Sequence, residues 1–264
     1  MITEDFHTHT TFCDGEADPE TMVKSAIERG MTRLGLLIHS YTFFDESYCA
    51  SQEAPSMFQA TMAELKEKYR GQIELYCGVE QDYYSAESTA GFDYVIGSVH
   101  YLYKDGVYLP VDSGAVKARY AINEHFGGDP YAYAEAYFHT VADVAEKTHP
   151  HIIGHFDLVS KYNAAGEFFD ETHPRYVTAW QAAADRLLTY GIPFEINLGG
   201  MLRAGRLEPY PTLAIQRYLA QHGARVLLSG DCHTADALRV GFDEWEQRAV
   251  ECGFTEEQWT TIRI

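Results

Sequence analysis

The chain is short of positive charge and short of cysteine. Lys and Arg number 20 against 39 Asp and Glu in 264 residues, a net charge of −19. A field of that sign repels a long polyphosphate, which disfavours general nucleic-acid binding. The five cysteines are scattered, odd in number and without a CxxC pair, a pattern that fits reduced thiols in a cytosol better than a disulfide framework. No apolar run approaches the ~18 residues of a membrane span. Met1-Ile2-Thr3-Glu4-Asp5-Phe6 lacks the basic-then-apolar order of a secretory signal. Linkers, low-complexity tracts and repeats are missing too. Residues 1–264 are therefore expected to form one domain with a sizeable core, in a cytoplasmic protein.

What the chain does have is alternation. Apolar strand candidates at 2–6, 34–38, 73–78, 94–98, 152–153, 193–196 and 225–228 alternate for most of the length with helical patterns at 56–69, 131–147, 174–190, 211–222 and 244–252. Asp18-Pro19-Glu20 opens a further helix, with an N-cap and Pro at the first helical position. Seven strands interleaved with helices predict an α/β fold with a parallel sheet or barrel of βα units. The connection over 101–129 is long and rich in Gly and Tyr, and reads as a lid or binding loop.

His7-Thr8-His9 follows the first strand, and residues two apart in extended chain point the same way, so both imidazoles can reach one metal. That pair alone is a weak signal. It gains weight because Asp14, His39, Glu80, His100, His155, Asp231 and His233 each stand at or just beyond a strand end. In a βα barrel those ends converge on one face, where active sites are built. Nine residues of metal-ligating type then share one bowl, which points to a multinuclear centre. His149-Pro150-His151 precedes its strand and reads as structural. His125, His139, His173 and His222 read as solvated or hydrogen-bonded histidines. Cys13 and Cys232 adjoin expected ligands, but strand alternation turns them away.

In order and from end to end, His7-Thr8-His9, Cys13-Asp14-Gly15, Gly78-Val79-Glu80, Ser98-Val99-His100, Gly154-His155-Phe156-Asp157, Glu195-Ile196-Asn197 and Gly230-Asp231-Cys232-His233 resemble the polymerase and histidinol phosphatase (PHP) superfamily. Within it they resemble the monofunctional histidinol-phosphate phosphatases. The resemblance implies a distorted (β/α)7 TIM-like barrel with three divalent ions (Zn, Mn or Fe) at the C-terminal face of its strands. The first ion would take His7, His9, Glu80 and Asp231, the second Asp14, His39 and His233, and the third Glu80, His100 and His155. Glu80 would bridge two of them, and Glu80, Asp231 and His233 would stand closest to the chemistry. Two departures stand out. Ile38 precedes His39 where many relatives have an acidic or polar residue, and Asp14 stands where the phosphatase branch carries a histidine, which makes the second position harder and more anionic.

Three divalent ions against Asp14, Glu80 and Asp231 leave a charge of about +3 in the bowl of an acidic protein, attractive to a phosphate dianion. A metal cluster also supplies hydroxide near neutral pH and neutralises phosphoryl oxygens, so phosphomonoester hydrolysis is the economical reading. Resemblance and position together suggest Lys161 and Arg203 as phosphate donors, with Arg206 a near alternative. The loop Tyr41-Thr42-Phe43-Phe44-Asp45-Glu46 offers aromatic faces and carboxylates suited to an imidazole and an ammonium. The expected activity is hydrolysis of L-histidinol phosphate, with a small-molecule substrate and neither nucleic acid nor membrane as partner. The competing readings are a phosphoesterase or exonuclease acting on nucleotides or nucleic-acid ends, and a non-catalytic interaction module.

Overall fold

The computed structural model describes residues 1–163 and 166–262. Its frame is a seven-stranded parallel sheet in the order β1 (Glu4–His9), β2 (Arg33–His39), β3 (Glu74–Asp82), β4 (Tyr94–Ser98), β7 (Ile152–Ile153), β8 (Phe194–Asn197) and β9 (Val226–Ser229). These strands are buried almost throughout, as in a parallel sheet covered by helices. The sheet curls back on itself. Beyond the end of β9, Cys232 pairs with β1: His9 N donates to Cys232 O at 2.8 Å, and Cys232 N donates to His7 O at 3.2 Å. The result is the expected distorted (β/α)7 barrel, closed next to the HxH pair.

Helices α1 (Pro19–Glu28), α2 (Ala54–Lys68), α6 (Pro174–Leu188), α8 (Leu213–Gln221) and α9 (Phe242–Glu251) follow their strands. Helix α1 starts where the sequence places it: the Asp18 carboxylate accepts from Thr21 N at 3.0 Å, and Met22, Val23 and Ala26 are buried. The connection after β4 is more ordered than a loop. It forms an antiparallel hairpin of β5 (Tyr101–Lys104) and β6 (Val107–Pro110), then α3 (Ala115–His125). The helix expected over 131–147 divides into α4 (Pro130–Ala142) and α5 (Val144–Thr148). The break is at Asp143, whose carboxylate accepts from Tyr83 Oη and from Arg186, each at 2.9 Å. A short helix, α7 (Gly199–Ala204), was not legible as a pattern and follows β8.

β1 and β3 run three or more residues further than the sequence suggests. β1 continues to His9 and β3 to Asp82, so His7, His9 and Glu80 lie inside strands rather than beyond them. Strand geometry fixes such side chains more tightly than a loop would. At the opposite end of the barrel, His151 Nδ1 accepts from Val95 N at 3.1 Å and His149 caps α5 in the left-handed region, so this pair is structural, as expected.

The barrel interior holds Phe6, Leu37, Tyr94, Ile96, Ile152 and Leu227. Tyr94 crosses it and donates to Phe6 O at 2.6 Å. Its ring fits because Gly35 and Gly78 lack side chains: a Cβ on Gly78 would lie 2.2 Å from Tyr94 Cζ. Gly78→Ala should therefore cost about 1–3 kcal/mol of overpacking, roughly 2–12 °C in Tm. An unchanged melting curve would contradict this fit.

Candidate metal centre

The sheet register brings the chemistry to one level. His39 and Glu80 are direct partners across β2 and β3, and Glu80 pairs with Ile96 of β4. His7 and His9, two apart on β1, face the same interior. His100 and His155 each stand two residues beyond a strand end, and Asp231 and His233 follow β9. All nine predicted residues meet at the C-terminal mouth of the barrel, and all but Asp14 are buried.

Glu80 is the centre. Its Oε2 lies 3.2 Å from His7 Nε2, 3.3 Å from His9 Nε2 and 3.1 Å from His39 Nδ1. Its Oε1 lies 3.2 Å from His100 Nε2 and 2.9 Å from His155 Nε2. One carboxylate thus turns one oxygen to each of two groups of imidazoles, the geometry a bridging ligand requires. Asp231 Oδ1 faces the first group, 3.7 Å from His7 Nε2 and 3.5 Å from His9 Nε2. Asp14 stands 3.5 Å from His39 Nε2 and 3.1 Å from His233 Nε2. His39 stands with Asp14 and His233 as expected, and in addition turns its other nitrogen toward Glu80.

Among the described residues, three sets of ligand atoms lie mutually within 4.8 Å: His9, Asp14, His39 and His233; His7, His9 and Glu80; His39, Glu80 and His100. Atoms about 2.0–2.2 Å from a common ion fall within that spread. His9 Nε2 and His155 Nδ1 are buried without a hydrogen-bond partner. A buried nitrogen left unpaired is costly, and a cation would satisfy the one on His9. The donor set of imidazole and carboxylate fits zinc, manganese and iron.

Residues behind the centre aim the imidazoles. His7 Nδ1 meets Glu195 Oε2 at 2.8 Å, and Glu195 is held in turn by Ser229 Oγ at 2.7 Å and Asn197 at 2.9 Å. His100 Nδ1 meets Asp82 Oδ2 at 3.2 Å. Such partners settle which nitrogen is free for a metal. Glu195 stood out in the sequence, whereas Asp82 did not, because nothing showed that β3 reaches it.

The electrostatics are those of a cluster. Burial opposes charge on Glu80, yet neighbouring histidines hold its carboxyl well below the ordinary range. Arg203 with His7, His9 and His233 does the same for Asp231. Burial would lower His100 too, but Glu80 and Asp82 outweigh it and raise it to about 10. Burial together with His9 and His100 pushes His39 down to about 3.

Above the centre lies a cleft enclosing about 630 Å³ of space open to solvent. Both predicted phosphate cations line it. Arg203, on α7, donates to His233 Nε2 at 2.8 Å and reaches both Asp231 oxygens at 3.3 Å. Lys161 pairs with Asp112 at 3.3 Å. Arg206 turns elsewhere, donating to Ser160 O and Glu208 O with its guanidinium over the Tyr210 ring. From the 41–46 loop only Asp45 reaches the cleft, joined by Tyr48 and, from the connection expected to act as a lid or binding loop, by Tyr101 and Asp112, none of which the sequence singled out individually. Phe44 instead stacks on Tyr108 at 3.7 Å and fastens the β5–β6 hairpin over the loop. Cys232 is buried in the apolar core as expected. Cys13 is a correction: its sulfur lies 3.5 Å from His9 Nδ1, because the chain turns after Thr10 and strand alternation no longer applies.

Residues 5–197 match the PHP domain model. The chain belongs to the PHP domain family. Two curated relatives of this PHP protein are described as probable histidinol-phosphatases. That of Schizosaccharomyces pombe is 25% identical over 272 residues, covering 94% of this chain and 86% of the relative. That of Deinococcus radiodurans is 27% identical over 249 residues, covering 90% and 88%. Among solved structures, hisK from Listeria monocytogenes superposes with a TM-score of 0.77 at 20% identity, over 92% of this chain and 99% of that one. The histidinol phosphate phosphatase of Lactococcus lactis, complexed with zinc, L-histidinol and phosphate, gives 0.72 at 18% identity, over 96% and 94%. At these identities the solved structures speak for the fold.

Because Glu80 serves two groups of imidazoles, Glu80→Gln should deplete bound metal and activity more than His39→Ala or any other single histidine change. Metal analysis beside turnover checks this, and equal losses for Glu80→Gln and His39→Ala would argue against a shared ligand.

Proposed function

We propose that this PHP protein is a divalent-metal-dependent phosphomonoesterase that hydrolyses L-histidinol phosphate to L-histidinol and phosphate, a step of histidine biosynthesis. The observation that carries the reading is Glu80, shared by five imidazoles at the floor of a cleft rimmed by Arg203 and Lys161. The two histidinol-phosphatase relatives, each matched over at least 90% of this chain, support the same substrate.

His7, His9, Asp14, His39, Glu80, His100, His155, Asp231 and His233 would hold three divalent ions, of zinc, manganese or iron. Such ions supply a water acidified toward neutral pH and neutralise phosphoryl oxygens. Glu80 partitions the centre through its two oxygens, and Asp231 and His233 hold the lip nearest Arg203. The Arg203 fork suits two oxygens of a phosphate dianion, and Lys161 adds a point charge across the cleft. The carboxylates of Asp45 and Asp112 with the rings of Tyr48 and Tyr101 form a wall suited to the ammonium and imidazole of the leaving alcohol. Phosphate binding alone gives no preference among phosphomonoesters, so specificity belongs to that wall.

Phosphate release across a metabolite panel, after reconstitution with Zn, Mn or Fe, tests the reading. Histidinol phosphate should exceed nucleotides and aryl phosphates by about 100-fold or more in kcat/KM, with close to three ions per chain. A flat profile, faster loss of DNA ends, or a single ion in active enzyme would each contradict it.

Arg203→Ala removes a charge-assisted contact of roughly 1.5 to 3 kcal/mol, about 10 to 150-fold in kcat/KM, and Arg203→Lys should recover only part. Arg206→Ala should instead lower Tm and leave kcat/KM near that of the parent protein. A normal kcat/KM for Arg203→Ala would return the phosphate site to Lys161 and the metals.

A further inference from the structure

We infer that Cys13 is a positioning residue of the metal centre: its sulfur accepts a hydrogen bond from His9 Nδ1–H and so fixes the tautomer in which His9 offers Nε2 to a metal. The inference rests on the metal-centre reading above.

A neutral imidazole can ligate through Nε2 only if its proton sits on Nδ1, and an acceptor beside Nδ1 decides this. Around this centre His7 Nδ1 has Glu195 at 2.8 Å, His100 Nδ1 has Asp82 at 3.2 Å, and His233 Nδ1 has the carbonyl of Asp231 at 3.0 Å. His9 is fully buried. Its Nε2 points at Glu80 Oε2, 3.3 Å away, and Asp231 Oδ1, 3.5 Å away, and makes no hydrogen bond. The group beside its Nδ1 is Cys13 Sγ at 3.5 Å, a separation that suits the larger sulfur as a weak acceptor. The nearest carboxylate oxygen, Asp14 Oδ1, is 3.7 Å from that nitrogen and faces His39 Nε2 at 3.5 Å. Cys13 thus does for His9 what carboxylates do for His7 and His100, and leaves Asp14 free for a metal.

The loop is built to bring the sulfur there. Cys13 N and Gly15 N both donate to Thr10 O, at 3.0 and 3.1 Å, and reverse the chain over the end of β1. Gly15 admits this fold-back, since a Cβ would lie 2.5 Å from Thr10 N. Phe12 packs edge-on against Phe58 of α2, with ring centroids 5.3 Å apart, and anchors the turn.

The test is long-range 1H–15N correlation of the imidazoles in full-length, zinc-loaded protein, with zinc affinity by chelator competition. The parent protein should show His9 protonated at Nδ1 and metallated at Nε2. Cys13→Ala should weaken zinc binding roughly tenfold, the lower end of the range for orienting partners, and lower kcat with little change in KM. Cys13→Ser should recover part of the loss. Cys13→Val, apolar, somewhat larger and without an acceptor, should behave as Ala and serves if Cys13→Ala does not fold. His9 metallated through Nδ1, or Ala and Val variants with parental zinc affinity and His9 tautomer, would overturn the role of Cys13. Failure of the parent protein to take up zinc, manganese or iron would instead overturn the metal centre itself.

Discussion

Glu80 stands within 3.3 Å of five imidazole nitrogens contributed by β1, β2 and the segments after β4 and β7. Bringing one carboxylate and five histidines out of water is costly, and mutual attraction repays it only with close geometry and satisfied remaining atoms. The barrel supplies that geometry. The extended β3 carries Glu80 to the level of His39, and the closure between β1 and Cys232 places Asp231 beside His7 and His9. Asp5 secures the seam beneath, accepting from His7 N at 3.0 Å and Gly230 N at 3.1 Å.

The same arrangement explains how an acidic chain can serve a dianion. The net charge of −19 describes the whole protein, whereas a phosphate responds to what lies within a Debye length, about 8 Å. Inside the cleft Arg203 and Lys161 face the centre, and each is held by a carboxylate, Asp231 or Asp112. On the proposed reading these pairings would keep both cations in place until a phosphate competes for them.

Much of this was legible in the sequence because two periodicities carry it. Seven apolar segments alternating with helical patterns foretold a parallel sheet or barrel of βα units, the family resemblance singled out the barrel, and the recurrence of His, Asp and Glu near strand ends foretold that all nine residues would gather at its mouth. What escaped depended on position in space. The side chains of Asp112, Tyr101 and Tyr48 reach the cleft only because the hairpin and the loop after β2 fold over it, which no local pattern encodes. Asp82 escaped because the end of β3 was placed too early. Cys13 was misplaced because alternation was carried past Thr10, where the chain turns. Arg203 was suggested by the family resemblance and by its place after β8, although the helix α7 that presents it was not legible.

Anomalous diffraction from crystals of the metal-loaded protein tests the central claim most directly. The account predicts scattering peaks on both sides of Glu80, one bonded to each carboxylate oxygen, with a further peak beside Asp14 and His233. A single peak that Glu80 does not touch, or peaks away from the barrel mouth, would contradict it.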